Sequence, residues 1–486
     1  MCGFSEGYMI GRTQEIGIML QLLASDKSEM LAIIGRRRVG KTYLINQVYK
    51  DNMLFDFTGT QFSERSTQLE KFAVKLAEYY GESLPLQVPQ NWFQAFEMLK
   101  KLILSKKKKT KKPVIFFDEL PWIDTHRSGF VKELGYWWND WASKQNLVVV
   151  ICGSAASWMI KKIINHKGGL HNRVTERIAL QPFTLAETRS FLHSKKVKMT
   201  DYQILQVYMV TGGVPHYLND ILPNETAIQT IDRMCFSRNG LLRNEFKNLY
   251  AALFDHPENH IAVIRALASK QSGLSRNDIS QITKIAPGGG LTKVLEELEA
   301  SSFIKQIPPL YKKKKDTLYR LIDEYSLFYL KFIEKQHAVE ANIWTQLSQS
   351  QSYKTWSGYA FENVCMQHVE AIKYTLGISG IYTETASYLH TKTEDEPGFQ
   401  IDMLIDRADN ALHICEMKYY ADEVIVTQEM ATTLRKRREA FRRTTNSKKM
   451  LLNTLVTTYG VAQNKWSLDQ VDNTITAADL FEIEKF

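Results

Sequence analysis

Cysteine is scarce in this 486-residue chain. Its five residues, Cys2, Cys152, Cys235, Cys365 and Cys415, are scattered, with no C-x-x-C pair. That pattern argues against both a disulfide framework and a thiolate zinc site, and it fits a reducing cytoplasm. Long apolar runs are missing as well. None approaches the ~20 residues a spanning helix needs, so no membrane partner is expected. The opening segment MCGFSEGYMIGR lacks the basic stretch and apolar core of a secretory signal. No internal repeat or long low-complexity tract is present, which excludes repeat architectures.

What is present suits a globular protein of about three domains by length. Lys and Arg total 62 against 53 acids, a net charge of +9 that points mildly to an anionic partner. The run Lys106 to Lys109 with Lys111 and Lys112 reads as a solvated surface loop.

The segment IIGRRRVGKTYLI holds Gly35, Gly40, Lys41 and Thr42 in the spacing G-x-x-x-x-G-K-[ST]. An apolar run, Leu31 to Ile34, precedes it, and a helix-compatible segment from Tyr43 follows. That is the strand, glycine loop and helix of a phosphate-binding loop. The backbone N–H groups of Gly35, Arg36, Arg37, Arg38, Val39 and Gly40 would face an anion beside a helix N-terminus. Lys41 would reach the β- and γ-phosphates of ATP, and the Thr42 hydroxyl would ligate Mg²⁺. Further on, VIFFDE sets Asp118 and Glu119 at the end of an apolar strand. Asp118 suits the Mg²⁺ shell, and Glu119 suits activation of the attacking water. A third strand, in NLVVVICGSAASWM, delivers Ser154 and Ser157 as candidates for sensing the γ-phosphate or the water. Arg173 or Arg177 can supply transition-state charge, in cis or from a neighbouring subunit.

Together GR-x-x-E (Gly11 to Glu15), GRRRVGKT, FFDELPW, Gly153-Ser154 and GGVPHYL resemble the archaeal-type P-loop ATPases of the STAND branch of AAA-related NTPases. The resemblance covers roughly residues 7 to 240. It implies a nucleotide-driven switch, a possible homo-oligomer through the ATPase module, and Gly11, Arg12 and the turn containing Pro215 near the adenine.

Residues 258 to 322 carry a winged-helix pattern. Ser275 is the expected N-cap of a short helix with Asp278 at its third position. Leu291, Val294, Leu295 and Leu298 line one face of the next helix. Strands IKQIP and TLYRL flank a basic wing, Lys312 to Lys315. Such a domain contacts DNA or docks a protein partner, and the three acids Glu296, Glu297 and Glu299 weigh against the first.

Phe399 to Tyr420 reads as a β-hairpin turning at RADNA. Gln400 and Asp402 share one face of it, as do Glu416 and Lys418. Glu362 lies upstream on an amphipathic helix, WSGYAFENVCMQHVEAI. The set Glu362, Asp402, Glu416 and Lys418 resembles the PD-(D/E)XK nucleases, more narrowly the Mrr-type domain, over about residues 350 to 486; Ile401 stands where the motif name has proline. The resemblance implies that Glu362, Asp402 and Glu416 hold a divalent cation, with Lys418 beside the attacking water. Cross-strand salt bridging is the plain alternative. Basic residues Arg435 to Lys449 suit either a phosphate backbone or a solvated helix face.

The expected architecture is α/β: a P-loop NTPase core with a parallel sheet (1–182), a helical lid (183–255), a winged-helix domain (256–345) and a restriction-endonuclease-like α/β domain (346–486). LSQSQSYKTWS, Leu347 to Ser357, is the expected connector. Two functional readings stand: an ATPase controlling a DNA-directed nuclease domain, or a nucleotide switch carrying an inactive one.

Overall fold

The computed structural model describes residues 9–482 apart from 83–85, 107–111, 166–169, 171, 255, 308–309, 311–316, 337–341 and 391–397. Lys107 to Lys109, Lys111 and the wing lysines Lys312 to Lys315 therefore lie outside the described residues. The chain divides into two compact units. One runs through Gln181 and takes in Glu296–Ser302; the other comprises Pro182–Leu295 and Phe303–Phe486.

In the first unit, β1 (Glu29–Ile34), β2 (Met53–Thr58), β3 (Val114–Asp118), β4 (Val148–Gly153) and β5 (Glu176–Ala179) form a wholly parallel sheet in the order β2-β3-β4-β1-β5. Buried on both faces, its central strands read as unbroken apolar runs. Met30 and Ala32 of β1 join one core cluster, Leu31 and Ile33 the opposite one. The first cluster is aromatic, with Trp92 edge-on to Phe130 at 4.8 Å and Phe117 meeting Phe130 at 5.3 Å. Each such ring contributes roughly 1.5–3 kcal/mol by burial. Because β4 separates β1 from β3, the loops after β1 and β3 flank the end of β4. That crevice at a switch point is where open parallel sheets bind ligands.

Lys112 corrects the sequence reading. It is buried, and its Nζ donates to the carbonyls of Leu22, Ser25 and Lys27 at 2.7, 2.8 and 2.7 Å. Its ammonium thus satisfies carbonyls at and just beyond the C-terminus of the helix Thr13–Ala24. A charge run in sequence does not show which of its members turns inward.

The second unit opens with helices started by capping boxes at Thr184 with Glu187, Thr200 with Gln203 and Thr226 with Gln229. Ser275 and Asp278 form the expected one ahead of the helix Arg276–Thr283. Strands β6 (Leu274–Ser275), β7 (Ile304–Ile307) and β8 (Leu318–Leu321) make an antiparallel sheet in the order β6-β8-β7. Leu291, Val294, Leu295 and Leu298 are all buried, as their spacing predicts.

A further sheet holds β9 (Thr383–His390), β10 (Phe399–Arg407), β11 (Ala411–Lys418), β12 (Met450–Thr457) and β13 (Asn473–Thr476) in the order β13-β12-β11-β10-β9. The β9–β10 and β10–β11 pairs are antiparallel, and β11–β12 and β12–β13 are parallel. The helix Gln428–Thr445 makes the crossover from β11 to β12. β10 and β11 are the predicted hairpin, with Asn410 at φ 66° in its turn.

Two local expectations change. The Ser/Gln-rich connector is helical from Gln351, because Ser350 caps the helix Gln351–Gln367 through the Tyr353 N–H at 3.2 Å and Trp356 is buried. The helix expected through Ile372 breaks at His368 into Gln351–Gln367 and Val369–Thr375. His368 is used for packing instead: its Nε2 accepts the Leu185 N–H at 2.9 Å, while Nδ1 lies 2.8 Å from the Val364 carbonyl. That pattern fixes a neutral ring with the proton on Nδ1, and burial pushes its pKa down to about 4.

Candidate functional site

The loop after β1 is shaped by two glycines for different reasons. At Gly35 a side chain would collide with the Leu180 carbonyl, and Gly40 adopts φ 91° at the start of the helix Lys41–Val48. Lys41 is buried and folds back over this loop, its Nζ donating to the carbonyls of Gly35 and Arg36 at 2.9 and 3.0 Å. Arg36 and Val39 are buried, and Arg37 and Arg38 are half-buried. Arg12 is buried as well. It follows Gly11, both have positive φ, and its guanidinium donates to the Val39 carbonyl at 3.3 Å.

Across the crevice, Asp118 ends β3 in a buried position. The Thr42 hydroxyl donates to its Oδ2 at 2.7 Å, and the Glu119 N–H donates to its Oδ1 at 2.9 Å. Glu119 has φ 48°, a strained conformation for a residue with a side chain. Its Oε2 accepts both the Ser154 N–H (3.0 Å) and the Ser154 hydroxyl (2.9 Å) at the end of β4. The structure thus brings together Gly35 to Thr42, Asp118, Glu119 and Ser154, with Arg12 against the loop. Ser157 is buried nearby in sequence, in the helix Ala156–Met159. Arg173 and Arg177 are exposed, before and on the edge strand β5. Pro215 opens the short helix Pro215–Leu218 in the second unit, after Gly212 and Gly213, both at positive φ.

The donor chemistry at Thr42 and Asp118 fits a Mg²⁺ ion. A hydroxyl and a carboxylate oxygen already meet there, with no cation of the described residues ion-paired to the carboxylate. Lys41 meanwhile occupies carbonyls that a triphosphate would free it from.

The acids of the second unit also gather, in a different manner. The Gln400 amide donates to the Asp402 carboxylate at 2.9 Å along one face of β10. On β11, Lys418 Nζ lies 2.8 Å from Glu416 Oε1, and Arg437, from the helix Gln428–Thr445, pairs with Glu416 Oε2. Glu362 faces Arg320 of β8, Nη2 to Oε2 3.7 Å. Burial, then the charge of Asp402, pushes the Glu362 carboxyl up to about 8. Burial and the neighbouring Glu416 raise Asp402 too. Glu416, Lys418 and Arg437 line an open cavity of about 670 Å³ that also holds Asp422, Glu423 and Glu429.

Among the described residues, no three acidic, imidazole or thiol groups stand close enough to hold a metal ion jointly. Glu362, Asp402 and Glu416 sense one another electrostatically, but as arranged they do not form the three-carboxylate cation site that the sequence resemblance implied. Glu416 has both oxygens on cations instead. Sequence reasoning missed Arg320 and Arg437. Only the basic run Arg435 to Lys449 hinted at one of them, and no spacing rule picks Arg437 from it.

Comparison with known proteins agrees with the first site. Residues 9–221 match the model of an ATPase domain found predominantly in Archaea. An uncharacterized protein of Methanocaldococcus jannaschii is 21% identical over 364 residues, covering 74% of this chain and 76% of that protein. An uncharacterized ATP-binding protein of the same organism is 25% identical over 290 residues, covering 50% of this chain and 78% of the relative. Among solved structures, a Walker-type ATPase of Pyrococcus abyssi superposes with a TM-score of 0.50 at 17% identity, over 67% of this chain and 96% of the other. That likeness speaks for the fold. With a phosphate loop, a strand-end acid pair and this family match in one parallel sheet, the chain carries a P-loop ATPase domain of the archaeal type.

Proposed function

We propose that the chain is an ATP-hydrolysing protein whose second unit acts on DNA through a nuclease-like acidic site, with the ATPase domain in control. The observation that carries hydrolysis is the contact of Glu119 with Ser154 beside Asp118. Thr42 and Asp118 would hold Mg²⁺, which would supply positive charge against the phosphates. Lys41 moves from the carbonyls of its own loop to the phosphates. Glu119 orients the attacking water and accepts its proton, and Ser154 positions Glu119. Arg173 or Arg177 adds charge in the transition state, and Gly11, Arg12 and Pro215 contact the adenine.

For the second unit, the support is a topology of helix, three antiparallel strands, crossover helix and parallel strand, which sets Glu362, Asp402, Glu416 and Lys418 together. The three-helix, three-stranded segment over 257–321 supports a winged-helix reading, with DNA or a protein as its partner. The four-domain division 1–182, 183–255, 256–345 and 346–486 belongs to the same reading, as do a cytoplasmic location and assembly through the ATPase domain. A second reading, a nucleotide switch with a catalytically silent acidic site, is favoured by one observation: Lys418 and Arg437 together take both oxygens of Glu416.

The deciding experiment is cleavage of plasmid and single-stranded DNA with Mg²⁺ or Mn²⁺, with and without ATP, in wild type, Asp402→Ala and Lys41→Ala. Cleavage lost in Asp402→Ala establishes the nuclease, and its response to Lys41→Ala reports control by ATP. ATP hydrolysis without any cleavage favours the silent-site reading.

A further inference from the structure

Arg320 is a charged residue that the ATPase reading leaves without a task. It sits on β8, in the small antiparallel sheet, yet its side chain is 7% exposed and is directed at Glu362. Nη1 lies 3.6 Å from the Met366 sulfur and Nη2 3.7 Å from the Glu362 carboxylate, and the charge of Asp402 also acts on it. The junction that places it there is well defined. Asn363 and Gln367, on the same helix as Glu362, donate to the Ile322 carbonyl at 3.1 and 2.9 Å, and to Glu324 Oε1 at 2.8 and 3.0 Å. β8 and the strand end after it are thus locked to the helix that carries Glu362.

Charge counting gives the arrangement its meaning. Three carboxyl groups, Glu362, Asp402 and Glu416, meet three cations of the chain, Arg320, Lys418 and Arg437. Lys418 and Arg437 border the open cavity, where water screens them. Arg320 is enclosed beside Glu362, so its charge acts at low dielectric on the neighbouring acids. A divalent cation entering between Glu362 and Asp402 would meet that fixed positive charge.

We propose that Arg320 is a built-in counter-ion for the Glu362–Asp402 pair, holding the acidic site in a state of low affinity for divalent cations. The inference rests on the nuclease-like reading of these acids. It makes a residue of the small sheet a determinant of metal affinity at the acids beside the larger one. Arg320 is here a positioning residue and touches no substrate.

The test is a Mn²⁺ titration of the full chain without nucleotide, following free Mn²⁺ by electron paramagnetic resonance. Wild type, Arg320→Gln, Arg320→Lys, Asp402→Asn and the double variant Arg320→Gln/Asp402→Asn are compared. We expect Arg320→Gln to tighten Mn²⁺ binding about tenfold or more, a gain lost in the double variant. Arg320→Lys, which keeps the charge without the planar fork, falls between, and it carries the test if circular dichroism shows Arg320→Gln unfolded. Equal Mn²⁺ affinity in wild type and both Arg320 variants, abolished by Asp402→Asn, overturns the counter-ion role and leaves the metal reading standing. No Asp402-dependent binding in any variant overturns both.

Discussion

The two acidic sites of this protein solve one physical problem in opposite ways. At the end of β3, Asp118 is held by a hydroxyl and a backbone N–H, and Glu119 by a serine hydroxyl and a backbone N–H. Neutral donors fix the geometry and leave the negative charge for an incoming ion. In the larger sheet of the second unit, the carboxylates face arginines and a lysine of the chain itself. Cations fix geometry too, but they also cancel the charge. The first site is preorganised for a ligand, and the second is already balanced. The presence of acids in a motif therefore says less about readiness for a metal than the identity of the groups that hold them.

The sharpest break of this comparison is at the first site. Lys41→Ala or Glu119→Gln is expected to lower ATP turnover by about a hundredfold or more. Glu119→Gln should retain ATP binding in a filter or fluorescence assay, whereas Lys41→Ala should weaken it. Retained turnover in Glu119→Gln would remove the basis for calling that crevice catalytic.

The next largest effect belongs to pH. The Glu362 carboxyl, raised to about 8 from an ordinary 4.5, binds a proton in the folded chain that the unfolded chain has lost. Stability from this group is therefore full below about 4.5 and declines as pH rises toward 8. Glu362→Gln should flatten that decline and raise the melting temperature at pH 8 by several degrees, on the order of 5 °C. His368 works in the opposite direction. Its folded pKa of about 4 lies below the ordinary 6.5, so its contribution is full above 6.5 and lost as pH falls toward 4. Replacement by Gln, which can also donate and accept, should weaken the acid dependence seen in calorimetric scans.

Smaller still, Lys112→Met should leave three carbonyls, that of Leu22 buried, without their donor and cost about 1–3 kcal/mol in urea unfolding of the first unit. Nucleotide affinity should not change. Ser154→Ala is the mildest. The backbone N–H of residue 154 still holds Glu119, so turnover should fall by roughly tenfold or less with little change in KM. A loss as large as that of Glu119→Gln would mean that Ser154 does more than position the carboxylate.

Much of the molecule was legible in the chain alone because its signals are local. The glycine loop, the apolar runs of β1, β3 and β4, the Ser275–Asp278 cap and the β10–β11 hairpin all follow from spacing over a few residues. The pairing of Gln400 with Asp402, and of Glu416 with Lys418, follows from strand alternation in the same way. Failures came where one residue's role depends on a distant partner. Lys112 sits in a lysine run like its neighbours, but only the packing of helix Thr13–Ala24 against its strand makes it a buried donor. His368 looks like a mid-helix residue until the N–H of Leu185, far off in sequence, arrives to bond it.

The sequence by itself determined the parallel nucleotide-binding core, its phosphate loop and the identity of the acids in both sites, since periodicity and motif spacing are properties of the chain. Tertiary structure decided what those acids face. Thr42 meets Asp118 and Ser154 meets Glu119 because β4 lies between β1 and β3. Arg320 meets Glu362 because β8 is bonded to the helix Gln351–Gln367. Charge compensation depends on distance in space, and no rule of sequence spacing carries a partner across stretches as long as the 35 residues from Glu119 to Ser154.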